Sequence, residues 1–136
     1  MSSQLNIFGK PVTPCSFYPL TGWNRLGYCS TDSSDVGTHV VCAKVTNDFL
    51  SFTKSRGNDL STPSKYFNFP GLKDGDFWCL CALRWKEAYD HDPSIAPKIN
   101  LNATNIKALQ YIPYDVLIQY GLELLYNSCT IRFYTK

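Results

Sequence analysis

Cys79 and Cys81 stand one residue apart in "GDFWCLCALRW", Gly75 to Trp85, with tryptophans close on both sides. Thiols at this spacing have three chemical uses: nucleophile, metal ligand or disulfide partner. In a strand, successive side chains alternate between faces, so the two sulfurs share one face with their Cα atoms roughly 6–7 Å apart. That spacing, with parallel Cβ vectors, argues against a Cys79–Cys81 bridge. Two thiolates converging on a metal is easier. A structural zinc asks for four ligands, usually from paired short-spaced knuckles, and here one C-x-C has no second pair. Cys15 and Cys29 would complete a set with Cys79 and Cys81 only through the fold, so the zinc signal is weak. His39 and Cys42 are three apart and face opposite ways on a regular strand.

A Cys–His nucleophile pair would need His39 or His91, the two histidines of the chain. His91 lies in the polar stretch "YDHDP" and reads as a solvated turn residue. His39 opens an apolar run after "DVG", where a hydrogen-bonded structural role competes with that of a base. In "GNDLSTP", Asn58 and Asp59 read either as a turn bonding its own backbone or as the polar rim of a pocket. Arg84, on a mainly apolar strand, needs a partner, for which Asp59, Asp76 or Asp35 would serve. Trp23 and Arg25 in "TGWNR" would form a stacking surface. The candidate site is therefore Cys29, Cys79, Cys81, His39, Asn58, Asp59 and Arg84. The sequence carries no P-loop, G-x-G-x-x-G, H-E-x-x-H or G-x-S-x-G motif, so nucleotide and serine-hydrolase chemistry lose ground.

The elements that must position these residues follow from pattern. "THVVCAKV", Thr38–Val45, is β-branched and apolar, which predicts a buried strand. Thr46 caps a helix over 47–55, with Asp48 in its first turn and Gly57 at its end. "FWCLCALRW", Phe77–Trp85, is apolar on both alternating faces, which predicts a central strand. Lys98–Leu101 reads as a short strand, 104–111 as a helix capped by Thr104, and a further helix starts with Pro113 and ends near Gly121. Residues 122–136 hold the apolar "LELLY" and the strand-like "TIRFYT". Residues 6–38 are rich in glycine and proline and read as a winding segment. Covering the sheet face that carries Cys79 and Cys81 is its most economical burial. A site would lie where this segment meets "GNDLSTP". Strand-like runs mixed with capped helices, without βαβ alternation, predict an α+β fold: a single two-layer domain over 1–136, with a mixed or antiparallel sheet and two or three helices on one face.

The 136 residues suffice for a core without staples. The net charge of +2 without a basic run disfavours a nucleic-acid partner. No stretch approaches a membrane span and no signal peptide is visible, so a reducing cytoplasmic location is expected. There the six cysteines, Cys129 included, should not be read as a disulfide framework.

In order along the chain, "FGKPVTPC", "PLTGWNRLGYC", "DVGTHVVCAKVT", "FLSFTKSRGNDLSTP", "FPGLKDGDFWCLCALRWKEA" and "IPYDVL" resemble the uncharacterised family catalogued as domain of unknown function 2237, over about residues 6–120. The resemblance implies a two-layer α+β fold and assigns no activity, cofactor or catalytic residue. Residues 121–136 depart from the family pattern. Three readings of function stay open: a small-ligand or metal-binding module with a cysteine-lined site, a cysteine-dependent redox or transfer enzyme, and a structural or interaction protein whose cysteines only pack.

Overall fold

A computed structural model describes residues 4–123. Among these residues the fold is α+β: a three-stranded antiparallel sheet with three α-helices. β1 is His39–Lys44, the buried run expected, and it lies at the sheet centre in the order β2-β1-β3. β2 is Phe77–Cys81 and β3 is the short pair Lys98–Ile99. α1, Asn47–Ser55, starts at Thr46, whose hydroxyl accepts from the Phe49 amide at 3.1 Å. Asp48 in its first turn and Lys54 in its last match the helix dipole.

The expected strand over Phe77–Trp85 breaks at Cys81. Residues 82–91 form a second helix, α2, Ala82–His91. "ALRWKEA" is rich in good helix formers, and Ala82, Trp85 and Ala88 recur at helical spacing on a buried face. The Thr38 carbonyl takes the Ala82 amide at 3.1 Å as the chain leaves the sheet. The helix expected over 104–111 is also corrected. Short 3₁₀ turns occupy Leu101–Ala103 and Ile106–Gln110, the latter capped by Asn105. The Thr104 hydroxyl is engaged elsewhere, accepting from the Cys42 amide and donating to the Asn100 carbonyl. α3 is Tyr114–Gln119, with Pro113 just before it.

Two apolar clusters follow. The larger gathers the inner residues of all three helices, including Phe49, Leu50, Trp85, Ala88 and Leu117, against Val41, Ala43 and Leu80 of the sheet. Trp85 is fully buried and its indole donates to the Pro97 carbonyl at 2.9 Å. The smaller cluster is made of Cys15, Cys29, Cys42, Cys79 and Ala103, with Phe77 against it. The winding N-terminal segment thus packs across Cys79, on the side of the sheet away from the helices. The carboxylate of Glu123 accepts from the Leu101 and Asn102 amides. The expectations for "TIRFYT", Cys129 and most of "LELLY" lie outside the described residues.

Candidate functional site

The register of β1 against β2 places the key side chains. Cys42 lies opposite Cys79, and His39 lies opposite Cys81, with an irregularity between His39 and Val41. Two residues of β1 span one step of β2 there, which is a β-bulge. The bulge overturns the strict alternation assumed from sequence. His39 and Cys42 are each paired with a residue of the Cys79/Cys81 face. At the bulge His39 stands as the pairing partner of Cys81, and both side chains line one cleft.

The cysteines divide in two. Cys15 bonds Cys42 and Cys29 bonds Cys79, with Cα–Cα distances of 5.7 and 5.3 Å. This corrects the expectation that the cysteines form no disulfide framework. The physical reason is the register, which sets Cys42 and Cys79 side by side under the segment carrying Cys15 and Cys29. It also changes the proposed ligand set Cys15, Cys29, Cys79 and Cys81, since three of those sulfurs hold other sulfurs and offer no thiolate while oxidised. Among the described residues Cys81 is the free cysteine, and it is half-buried. No Cys79–Cys81 bridge forms.

Cys81 opens onto a cleft of about 650 Å3. Its walls come from three places: Gly22, Trp23 and Arg25 of the winding segment, residues 58–69 of the long loop, and the end of β2 with His39. The structure therefore gathers Cys79, Cys81, His39, Asn58 and Asp59 around one concavity. Cys29 lies behind it, fully buried and bonded to Cys79. Arg84 is not there. It sits in α2, donates to the Arg56 carbonyl at 3.0 Å and pairs with Glu87 at 3.2 Å, because residue 84 is helical rather than on the strand. None of Asp35, Asp59 and Asp76 is its partner. His91 likewise lies apart, stacked on Phe52.

His39 is held by a residue the sequence reading assigned elsewhere. Its Nδ1 lies 2.6 Å from Oδ1 of Asp35, and its backbone amide donates to Oδ2 of Asp35 at 2.9 Å. The Thr31 hydroxyl donates to the same carboxylate at 3.0 Å. Burial alone would push the Asp35 carboxyl up. The bonds from the His39 amide, the His39 ring and Thr31 outweigh it and hold the carboxyl below its ordinary value. With Nδ1 bound to the carboxylate, Nε2 is the ring nitrogen left for a second partner. Space for the ring depends on Gly37, where a Cβ would come within 2.5 Å of His39 Cε1 and 2.9 Å of Nε2. Thr38, just before, is left-handed at φ 50°, a costly conformation for a β-branched residue. The signal was readable: Asp and His four apart around a glycine turn, "DVGTH".

The other polar groups of the cleft are less available. Asp59 accepts from the Thr62 hydroxyl at 2.7 Å and from the Ser61 and Thr62 amides, and these bonds lower its carboxyl. Asn58 donates to Thr53 Oγ1 at 3.0 Å. Both shape the loop, in line with the turn reading. Arg25 lies over the Trp78 ring at 5.1 Å and donates to the Gly22 carbonyl at 2.8 Å. Aromatic walls come from Trp23, Phe67, Phe69 and Trp78.

Fold and cleft together define a small α+β protein with a histidine and a free thiol at the mouth of a disulfide-pinned sheet face. The chain belongs to the family described as "Uncharacterized protein conserved in bacteria (DUF2237)", whose model matches residues 5–121. No curated protein matches the sequence. Among the described residues, no helix is long and apolar enough to cross a membrane.

Proposed function

We propose that the cleft is the active site of a thiol-dependent transfer enzyme acting on a small substrate. Cys81 is the nucleophile, His39 its general base, and Asp35 a positioning residue. One observation carries this reading: Cys81, free of a disulfide, lies opposite a histidine whose other nitrogen is fixed on a buried carboxylate, and both line the same cleft. That is the nucleophile, base and orienting group of covalent catalysis. The Cys81 thiol gives its proton to His39 Nε2, and the sulfur attacks an electrophilic carbon of the substrate. The leaving group departs with that proton. Water or an acceptor, deprotonated by His39, then releases the transferred group from sulfur. Cys81 also sits at the N-terminus of α2, which has no side-chain cap, and the first-turn amides that follow Ala82 favour negative charge developing there. The left-handed Thr38 before His39 fits a site that stores backbone strain.

The test is alkylation by iodoacetamide, followed by mass mapping across pH. Cys81 should be the residue modified first. His39→Gln should slow that reaction at neutral pH by at least about tenfold, on the scale of general-base effects. Equal rates in wild type and His39→Gln would sink the proposal.

The aromatic walls and Arg25 favour a second reading, a small-ligand-binding module without turnover. Such a module would bind its ligand equally well after Cys81→Ser and show no covalent intermediate. Both readings leave nucleic acid aside, on the small net charge.

A further inference from the structure

We propose that Cys15, Cys29, Cys42 and Cys79 form a redox-gated metal site: two disulfides when oxidised, and one zinc ion held by four thiolates when reduced. The sulfurs of Cys15, Cys29 and Cys79 all lie within 4.8 Å of one another, and Cys42 is bonded to Cys15. Four sulfurs around a tetrahedral zinc, at about 2.3 Å from the metal, are about 3.8 Å apart. The separations of Cys15 from Cys29 and from Cys79 are thus already close to those of a zinc site; the two bonded pairs must open, and Cys42, bonded to Cys15, must close in as the fourth ligand. Placement supports this. Cys42 and Cys79 face each other across neighbouring strands, while Cys15 and Cys29 come down onto them from the winding segment. Ala103 and Phe77 pack against these cysteines, and among the described residues the group of close ligand atoms consists of sulfurs, the soft donors that suit zinc.

The chemistry balances. A phosphine reductant and water convert each disulfide to two thiols and a phosphine oxide. Zinc then displaces four protons to give the tetrathiolate. In reverse, each of two peroxide molecules takes two thiolates to one disulfide, consumes two protons and leaves as two waters, and the zinc is released. Cys81 stands outside the four, so this site is separate from the nucleophile proposed for the cleft.

The experiment uses the full chain. Protein reduced with a phosphine, then separated from reductant under inert gas, is titrated with zinc against a chromophoric chelator, and with cobalt followed by absorption. The expected result is one metal per chain, thiolate-to-cobalt charge-transfer bands, and tetrahedral d–d bands. Oxidised protein should bind none. Cys81→Ser should bind as wild type, and Cys42→Ser should lose at least about tenfold in affinity, the scale of disturbing a metal's ligation. Mass mapping of alkylated thiols gives a readout that does not depend on the variants. Zinc should protect all four cysteines, and a chelator should expose them. Reduced protein that takes up no metal, folded or not, would overturn the proposal, as would binding that survives oxidation, binding lost with Cys81→Ser, or alkylation of the four that zinc does not change.

Discussion

Replacing both Cys29 and Cys79 by alanine removes the cross-link that closes the longer of the two loops, with a sequence separation of 50. The loop-entropy relation gives about 14 cal/mol/K of unfolded-chain entropy restored, or about 4 kcal/mol at 25 °C. The Cys15–Cys42 bridge, with a separation of 27, gives about 3.5 kcal/mol by the same relation. The two loops share residues 29–42, so closing one shortens the path closed by the other. Removing both bridges should therefore cost less than the sum. For a chain of 136 residues, an unfolding entropy of about 2.1 cal/mol/K per residue converts 4 kcal/mol into a drop in Tm of about 14 °C. The assay is urea unfolding and calorimetry of wild type and the double variant, each with a chelator, and each with and without a phosphine reductant. The chelator keeps metal binding from replacing the lost cross-link. Reductant should lower the wild type by at least as much as the substitutions do, and should lower the variant further through Cys15–Cys42. A double variant melting within about 3 °C of wild type, or a wild type indifferent to reductant, would refute the reasoning.

Asp35→Asn should remove an acid-dependent part of stability. The folded Asp35 carboxyl is held below its ordinary value, so its contribution is complete above about pH 3.9, the ordinary unfolded value, and is lost as pH falls through the lower folded one; pH-dependent urea midpoints should flatten in that window in the variant. Gly37→Ala should push the His39 ring aside, because the added Cβ meets Cε1 and Nε2, and alkylation of Cys81 should slow while the far-UV spectrum stays unchanged. Trp85→Ala should cost about 3–5 kcal/mol, measured by urea unfolding, because a fully buried indole is removed and the Pro97 carbonyl loses its donor.

The parts legible in the sequence were those decided locally. Thr46 before an amphipathic stretch fixes the start of α1 whatever the rest of the chain does, and the β-branched run 38–45 fits a pleated buried strand better than a helix. "FWCLCALRW" was ambiguous because its residues satisfy two periods. It alternates through Trp85, and from Ala82 it also repeats at helical spacing. What decides between them is tertiary: the Thr38 carbonyl takes the Ala82 amide, and Trp85 and Ala88 find the helix-side core. Arg84 was misplaced for the same reason, since its position as a site residue depended on the strand continuing. The disulfides were illegible because pairing depends on which residue of β1 stands opposite Cys79, a register set by tertiary packing; the bulge, nearer the start of β1, shifts only the partner of Cys81. Asp35 was named only as a partner for Arg84, although its i, i+4 spacing to His39 was in plain view.

The contrast between Cys79 and Cys81 follows from the same bulge and the same strand end. Alternation sets both on the face that the winding segment covers. Cys79 is interior to that cover, 2% exposed, with its amide donating to the Thr21 hydroxyl at 2.8 Å, so the segment that carries Thr21 also delivers Cys29 to its sulfur. Two residues on, the strand ends and the chain turns into α2, and the sulfur of Cys81 falls at the edge of the cover rather than beneath it. The register shift in β1 brings His39, instead of another buried aliphatic, opposite this edge position. A regular β1 would pair Val40 with Cys81 and leave the thiol without a histidine opposite it. The bulge thus ties local chain geometry to chemistry: by inserting one residue, it converts the rim of a disulfide-pinned sheet face into a place where a thiol and an oriented histidine share a cleft.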